Sequence, residues 1–151
     1  MVVKKNIIVK NGAVLLVKGD FTADNVSLTL EKGAVVKVRG NLLLQNATVV
    51  LNGEWTICRD AWVSGGTING EGEWKLKGDL ENQSTIKNLQ TLSFVGRAPQ
   101  KISGKEIHVI NIKCNNNSSH GIDLDSKVYY IQKDITEGTK IAGDNLLEET
   151  K

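Results

Sequence analysis

The side chains of this sequence that can do chemistry are few, and their spacing is regular. Asp60 and Asp79 stand nineteen positions apart, each directly after the same short phrase, with Asp20 and Asn41 in the equivalent place upstream. If the chain stacks at that interval, the two carboxylates lie one rung apart and repel, so a hard cation such as Ca²⁺ is the ligand they would invite. Asn41 would add an oxygen. The competing reading is neutralisation by Lys18, Arg39, Arg59 and Lys77, each one or two residues from the column. Asp123 and Asp125 form a second pair, but they flank Leu124 and read as outward, solvated positions of a strand.

Other reactive types are isolated. His108 alternates outward from a strand and His120 sits in a polar tip, so they share no metal-ligand spacing. Cys58 falls in an outward column otherwise held by Lys18, Arg39 and Lys77, and Cys114 lies far along the chain. They read as two free thiols, with a disulfide as the alternative. No phosphate loop, Gly-x-Ser-x-Gly elbow or Cys-x-x-Cys occurs. Asn46-Ala-Thr48, Asn82-Gln-Ser84 and Asn117-Ser-Ser119 match the glycosylation triplet, a pattern that Asn-rich turns also produce. Trp62 is the most distinctive side chain. Alternation places it outside, beside Leu43 in a column with Thr22 and Glu81, as an apolar patch able to take a sugar ring or a partner protein.

What positions these groups is a phrase written five times: Leu15-Leu-Val-Lys-Gly-Asp20, Val36-Lys-Val-Arg-Gly-Asn41, Trp55-Thr-Ile-Cys-Arg-Asp60, Trp74-Lys-Leu-Lys-Gly-Asp79 and Leu92-Ser-Phe-Val-Gly-Arg97. The corners at 19, 40, 59, 78 and 96 are 21, 19, 19 and 18 apart. A period near twenty predicts a solenoid with one coil per repeat. Leu15, Val36, Trp55, Trp74 and Leu92 form one inward column and Val17, Val38, Ile57, Leu76 and Phe94 another. Past the corner, Phe21, Leu42, Ala61, Leu80 and Ala98 continue it, then Ala23, Leu44, Val63, Asn82 and Gln100, where it weakens. Second legs stand at 26–30, 47–51, 67–69 and 85–87, and Gly33, Gly53, Gly65, Gly66, Gly70 and Gly72, which follow or flank the first three, read as corners of positive φ. Trp55 should lie over Trp74. An antiparallel sandwich fits the short strands but not identical columns every twenty residues.

The fold expected is therefore all-β, a single-stranded parallel β-solenoid of six or seven coils. Residues 1–12 read as a capping strand, 13–143 as the solenoid (regular to 96, irregular from 97), and 144–151 as a tail that frays or forms a short helix. Within the irregular part, 97–104 reads as loop and turn.

With 19 Lys+Arg against 17 Asp+Glu the net charge is +2, which argues against nucleic acid as a partner. No apolar run reaches the eighteen residues of a membrane span. Met1–Lys10 lacks the features of a signal peptide, so the expectation is a cytoplasmic protein or a domain from a longer one.

Leu92-Ser-Phe-Val-Gly96, Gln100-Lys-Ile-Ser-Gly104, Ile110-Asn-Ile112, Asn116-Asn-Ser118 and Gly121-Ile-Asp-Leu124, with the Gly-Asp-Leu rhythm of 13–80, resemble a phrase in bacterial surface proteins. That family carries right-handed β-helix regions, often adhesin-like. The resemblance implies a non-catalytic structural or binding module at the cell surface or outside the cell, offering a flat face to a glycan or a protein. Two other classes stand beside it. One is a cytosolic subunit that stacks end to end, like the bactofilins; the other is a polysaccharide lyase or hydrolase using paired acids.

Overall fold

The computed structural model describes residues 1–150. Every strand pairing in it is parallel, which rules out the sandwich. The strands are β1 (Val2–Val3), β2 (Ile7–Val9), β3 (Val14–Val17), β4 (Phe21–Asp24), β5 (Ser27–Leu30), β6 (Val35–Val38), β7 (Leu42–Gln45), β8 (Thr48–Leu51), β9 (Glu54–Ile57), β10 (Ala61–Leu76), β11 (Leu80–Phe94), β12 (Gln100–Gly104), β13 (Ile107–Cys114), β14 (Ile122–Leu124), β15 (Val128–Tyr130), β16 (Gln132–Ile135), β17 (Ile141–Ala142) and β18 (Leu146–Glu148). They wind into a solenoid of about seven turns.

Each coil contributes to three faces. The first stacks β1, β4, β7, the starts of β10 and β11, then β12, β14 and β17. The second stacks β2, β5, β8, the middles of β10 and β11, β13, β15 and β18. The third stacks β3, β6, β9, the ends of β10 and β11, the end of β13, and β16. The long strands β10 and β11 run round corners through bulges, at Ser64/Thr67 for example, where an extra residue bends the chain.

Repeat spacing sets the register. Leu15 pairs with Val36, Val36 with Trp55, Trp55 with Trp74, and Trp74 with Leu92, so the inward column is one continuous ladder. Trp55 and Trp74 stack in the core with centroids 5.9 Å apart, and the Phe21 ring meets Trp55 edge-on at 6.0 Å.

Several expectations for the chain after Gly96 are corrected. Leu80 pairs with Ile102, not Ala98, and Asn82 with Gly104, not Gln100. The reason is a four-residue detour. Arg97, Ala98 and Pro99 loop outward, and Gln100 turns back in to plug the corner. Its amide donates to the carbonyls of Leu76 and Gly78, and its Oε1 accepts from Gly96 N–H and Asn116 Nδ2. Residues 100–104 are thus a strand rather than a turn, and residues 146–148 form β18 on β15 rather than a helix. Residues 1–12 supply β1 and β2 of the first coil.

Glycine roles also differ in part. Gly53 and Gly72 do not have positive φ. A Cβ at Gly72 would collide with the backbone of Asn52 and Gly53 one coil below, so close stacking excludes a side chain there.

Candidate functional site

The first face carries the groups that the sequence singles out. Along it, Val2, Thr22, Leu43, Trp62, Glu81 and Ser103 follow one another in register. They point outward because Ala61 and Val63 on either side of Trp62 are buried, as are Leu42 and Leu44 beside Leu43. Trp62 is 41% exposed and Leu43 39%, so the two form an open apolar platform. The N-terminal strand is three rungs away and the tail strands are beyond β12, so neither covers it.

Beside Trp62 lies a hollow of about 220 Å³, lined also by Asp60, Asp79, Glu81, Lys101 and Ser103. An aromatic face flanked by carboxylates, an ammonium and a hydroxyl can stack on an apolar ring face and bond hydroxyls around its rim.

Asp60 and Asp79 do stand one rung apart, and their carboxylates have a structural task. Asn41 N–H donates to Asp20 Oδ1 at 2.8 Å, Asp60 N–H to Asn41 Oδ1 at 3.0 Å, Asp79 N–H to Asp60 Oδ1 at 2.8 Å, and Lys101 N–H to Asp79 Oδ1 at 2.9 Å. Each Asx side chain thereby satisfies the corner amide of the next coil, a need any corner has where the strand ladder is interrupted. No group of three or more His, Cys, Asp or Glu placed to hold a metal occurs among the described residues. The ladder occupies one oxygen of each aspartate and leaves the other free.

Elsewhere the side chains are tied into the fold. His108 stacks on Tyr129 with centroids 4.5 Å apart, and its Nδ1 lies 2.6 Å from Glu149 Oε1, which fastens β13 to the tail. Cys58 and Cys114 are both free. Cys114 points into the core, where burial and then Asp134 push its thiol up to about 12. Asn82 is buried, with its Oδ1 accepting from Ser84 N–H and Oγ, so that triplet offers no acceptor to solvent. Asn116 makes the same pair of bonds with Ser118. The identical Asn-x-Ser spacing was the available signal for this turn, hidden by its likeness to a glycosylation triplet.

No family model, curated protein or solved structure matches the chain. No helix among the described residues is long and apolar enough to cross a membrane.

Proposed function

We propose that this chain is a non-catalytic binding module of a bacterial surface or extracellular protein, which presents the first solenoid face to a glycan. The observation that carries the reading is the Trp62–Leu43 platform, two exposed apolar side chains in register on a rigid flat sheet, with polar groups along one side. A sugar has an apolar ring face and a polar rim, and the platform offers the complement of both. A protein partner would use the same patch. Of the three acids lining the hollow, Asp60 and Asp79 each spend one oxygen on a corner amide, which leaves Glu81 without a matching second acid and favours binding over paired-acid work at this place.

The experiment is co-sedimentation with insoluble polysaccharides and cell-wall preparations, with released sugars assayed in the same tubes. The reading requires retention without release and its loss in Trp62→Ala. Release of sugars would make the chain an enzyme, and retention that ignores Trp62 would move the site.

A second reading is end-to-end self-association. It is favoured by the charges of the terminal coils: residues 1–19 hold Lys4, Lys5, Lys10 and Lys18 with no acid, whereas 132–149 hold five acids against Lys133 and Lys140. Val2, Ile8, Val14 and Leu16 are also exposed in the first coil. Particles that lengthen with concentration and shorten with salt would support it; a monomer at all concentrations would remove it.

A further inference from the structure

The near-neutral total charge hides an unequal distribution by face, acids prevailing on the first beside Lys101 and cations on the third beside Glu54, Glu73 and Asp134. On the first face, Asp20, Asp24, Asp60, Asp79, Glu81 and Asp123 point outward. The outward columns of the third face carry Lys18, Lys37, Arg39, Lys75, Lys77 and Lys113.

That third face is also not flat. A groove of about 540 Å³ runs along the solenoid axis from Lys37 in the second coil to Asn115 and Asn117 in the sixth. Its floor is low at Thr56, a short outward side chain between Lys37 and Lys75 that is almost fully buried. The detour at Arg97 raises one wall, and Lys37, Lys75 and Lys77 line the rest. The carboxylates nearby are already engaged. Glu54 takes Lys75 at 2.7 Å, and Glu73 accepts from Ser93 Oγ at 2.5 Å. Among the described residues Lys37, Lys77 and Arg97 have no salt-bridge partner.

We infer that this groove binds a linear acidic polysaccharide, with Lys37, Lys77 and Arg97 on its carboxylates and Asn115 and Asn117 on its hydroxyls. The cations sit on different rungs of one rigid ladder. Lys37 and Lys77 stand on coils two rungs apart, about 10 Å along the axis at the spacing of paired strands, which is comparable with one disaccharide unit of an extended chain. A guanidinium and ammonium groups held along a line match a repeating carboxylate better than a single anion. Single-stranded nucleic acid would need aromatic faces for its bases, and the groove has none. This site is separate from the Trp62 platform, so either can fail without the other.

The test is affinity gel electrophoresis with sodium polygalacturonate, neutral dextran or a thymidine oligonucleotide, at an ionic strength of about 0.15 M. Polygalacturonate should retard the protein and dextran should not. The triple variant Lys37→Glu, Lys77→Glu, Arg97→Glu should lose that retardation by about tenfold or more, whereas Lys87→Glu, Lys105→Glu, Lys127→Glu, the same change in net charge away from the groove, should keep it. Trp62→Ala should also keep it. Arg97→Glu alone, in an exposed loop, gives a weaker form of the loss if the triple variant fails to fold. No retardation by polygalacturonate, equal loss in both triple variants, or equal or tighter binding of the oligonucleotide would each overturn the inference.

Discussion

Trp55 and Trp74 stack one rung apart at the centre of the coil, with centroids 5.9 Å apart and planes at 26°, and neither indole N–H has a hydrogen-bond partner. The pair therefore joins a large apolar gain to two unmet donors. Trp74→Ala removes the first and leaves a cavity, so it should cost about 3–5 kcal/mol. Trp74→Phe keeps most of the stack and deletes an unmet donor, so its cost should be clearly smaller. Urea unfolding of both variants checks the order; equal losses would mean that a phenyl ring at position 74 recovers neither the packing nor the stacking on Trp55.

The corner ladder makes a prediction about glycine. A Cβ at Gly78 would run into Asp60 Oδ1 and the Arg59 carbonyl, whereas at Gly19, in the first coil, nothing lies within 4 Å. Neither residue has positive φ, so the contrast is one of space and not of backbone freedom. Gly78→Ala should lower the melting temperature and Gly19→Ala should barely move it. In the same ladder Asp60→Asn should be nearly neutral, since Asn41 already plays that part, and Asp60→Ala should cost about 1–2 kcal/mol. A melting temperature raised by Ca²⁺ over chelator in the parent, and not in Asp60→Asn, would show that the ladder oxygens also hold an ion.

These two cases mark where the sequence was legible. The columns Leu15–Val36–Trp55–Trp74–Leu92 could be written down from spacing alone, because a solenoid repeats its inward positions at a fixed period. The carboxylates of Asp60 and Asp79 could be placed one rung apart, but not assigned to amides, since spacing is silent on where a side-chain oxygen points. After Gly96 the period breaks at Arg97–Pro99, and only the bonds of Gln100 reveal the shift from Ala98 to Ile102. The groove lined by Lys37 and Arg97 was illegible for the same reason: it depends on that detour for a wall. Trp62 was legible as an exposed residue through simple alternation with Ala61 and Val63.

The three tryptophans should then report separately on the core and the platform. Trp55 and Trp74 are 1% and 0% exposed, against 41% for Trp62. Acrylamide should quench one fraction of the native emission readily and the rest poorly. Trp62→Phe should remove the accessible, red-shifted fraction and leave the protected one. A single accessible population that persists in Trp62→Phe would contradict the placement of all three rings.

The two thiols should differ in both reactivity and pH response. Cys58 is partly exposed and Cys114 is buried, so a thiol reagent should label one cysteine in the native protein and two in denaturant. Burial, with a smaller contribution from Asp134, raises the Cys114 thiol from 9.0 to about 12 in the folded chain. The folded state thus prefers the protonated thiol, and the stabilisation this represents is complete below the unfolded value of 9.0. Above it the unfolded chain ionises first, and stability falls by about 1.4 kcal/mol per pH unit until the folded thiol also ionises near 12. Other groups titrate in that range, so the quantity to measure is the difference in unfolding free energy between the parent and Cys114→Ala from pH 8 to pH 11. The parent should lose its advantage as pH rises; a difference independent of pH would mean that Cys114 is not held as a neutral thiol in the core.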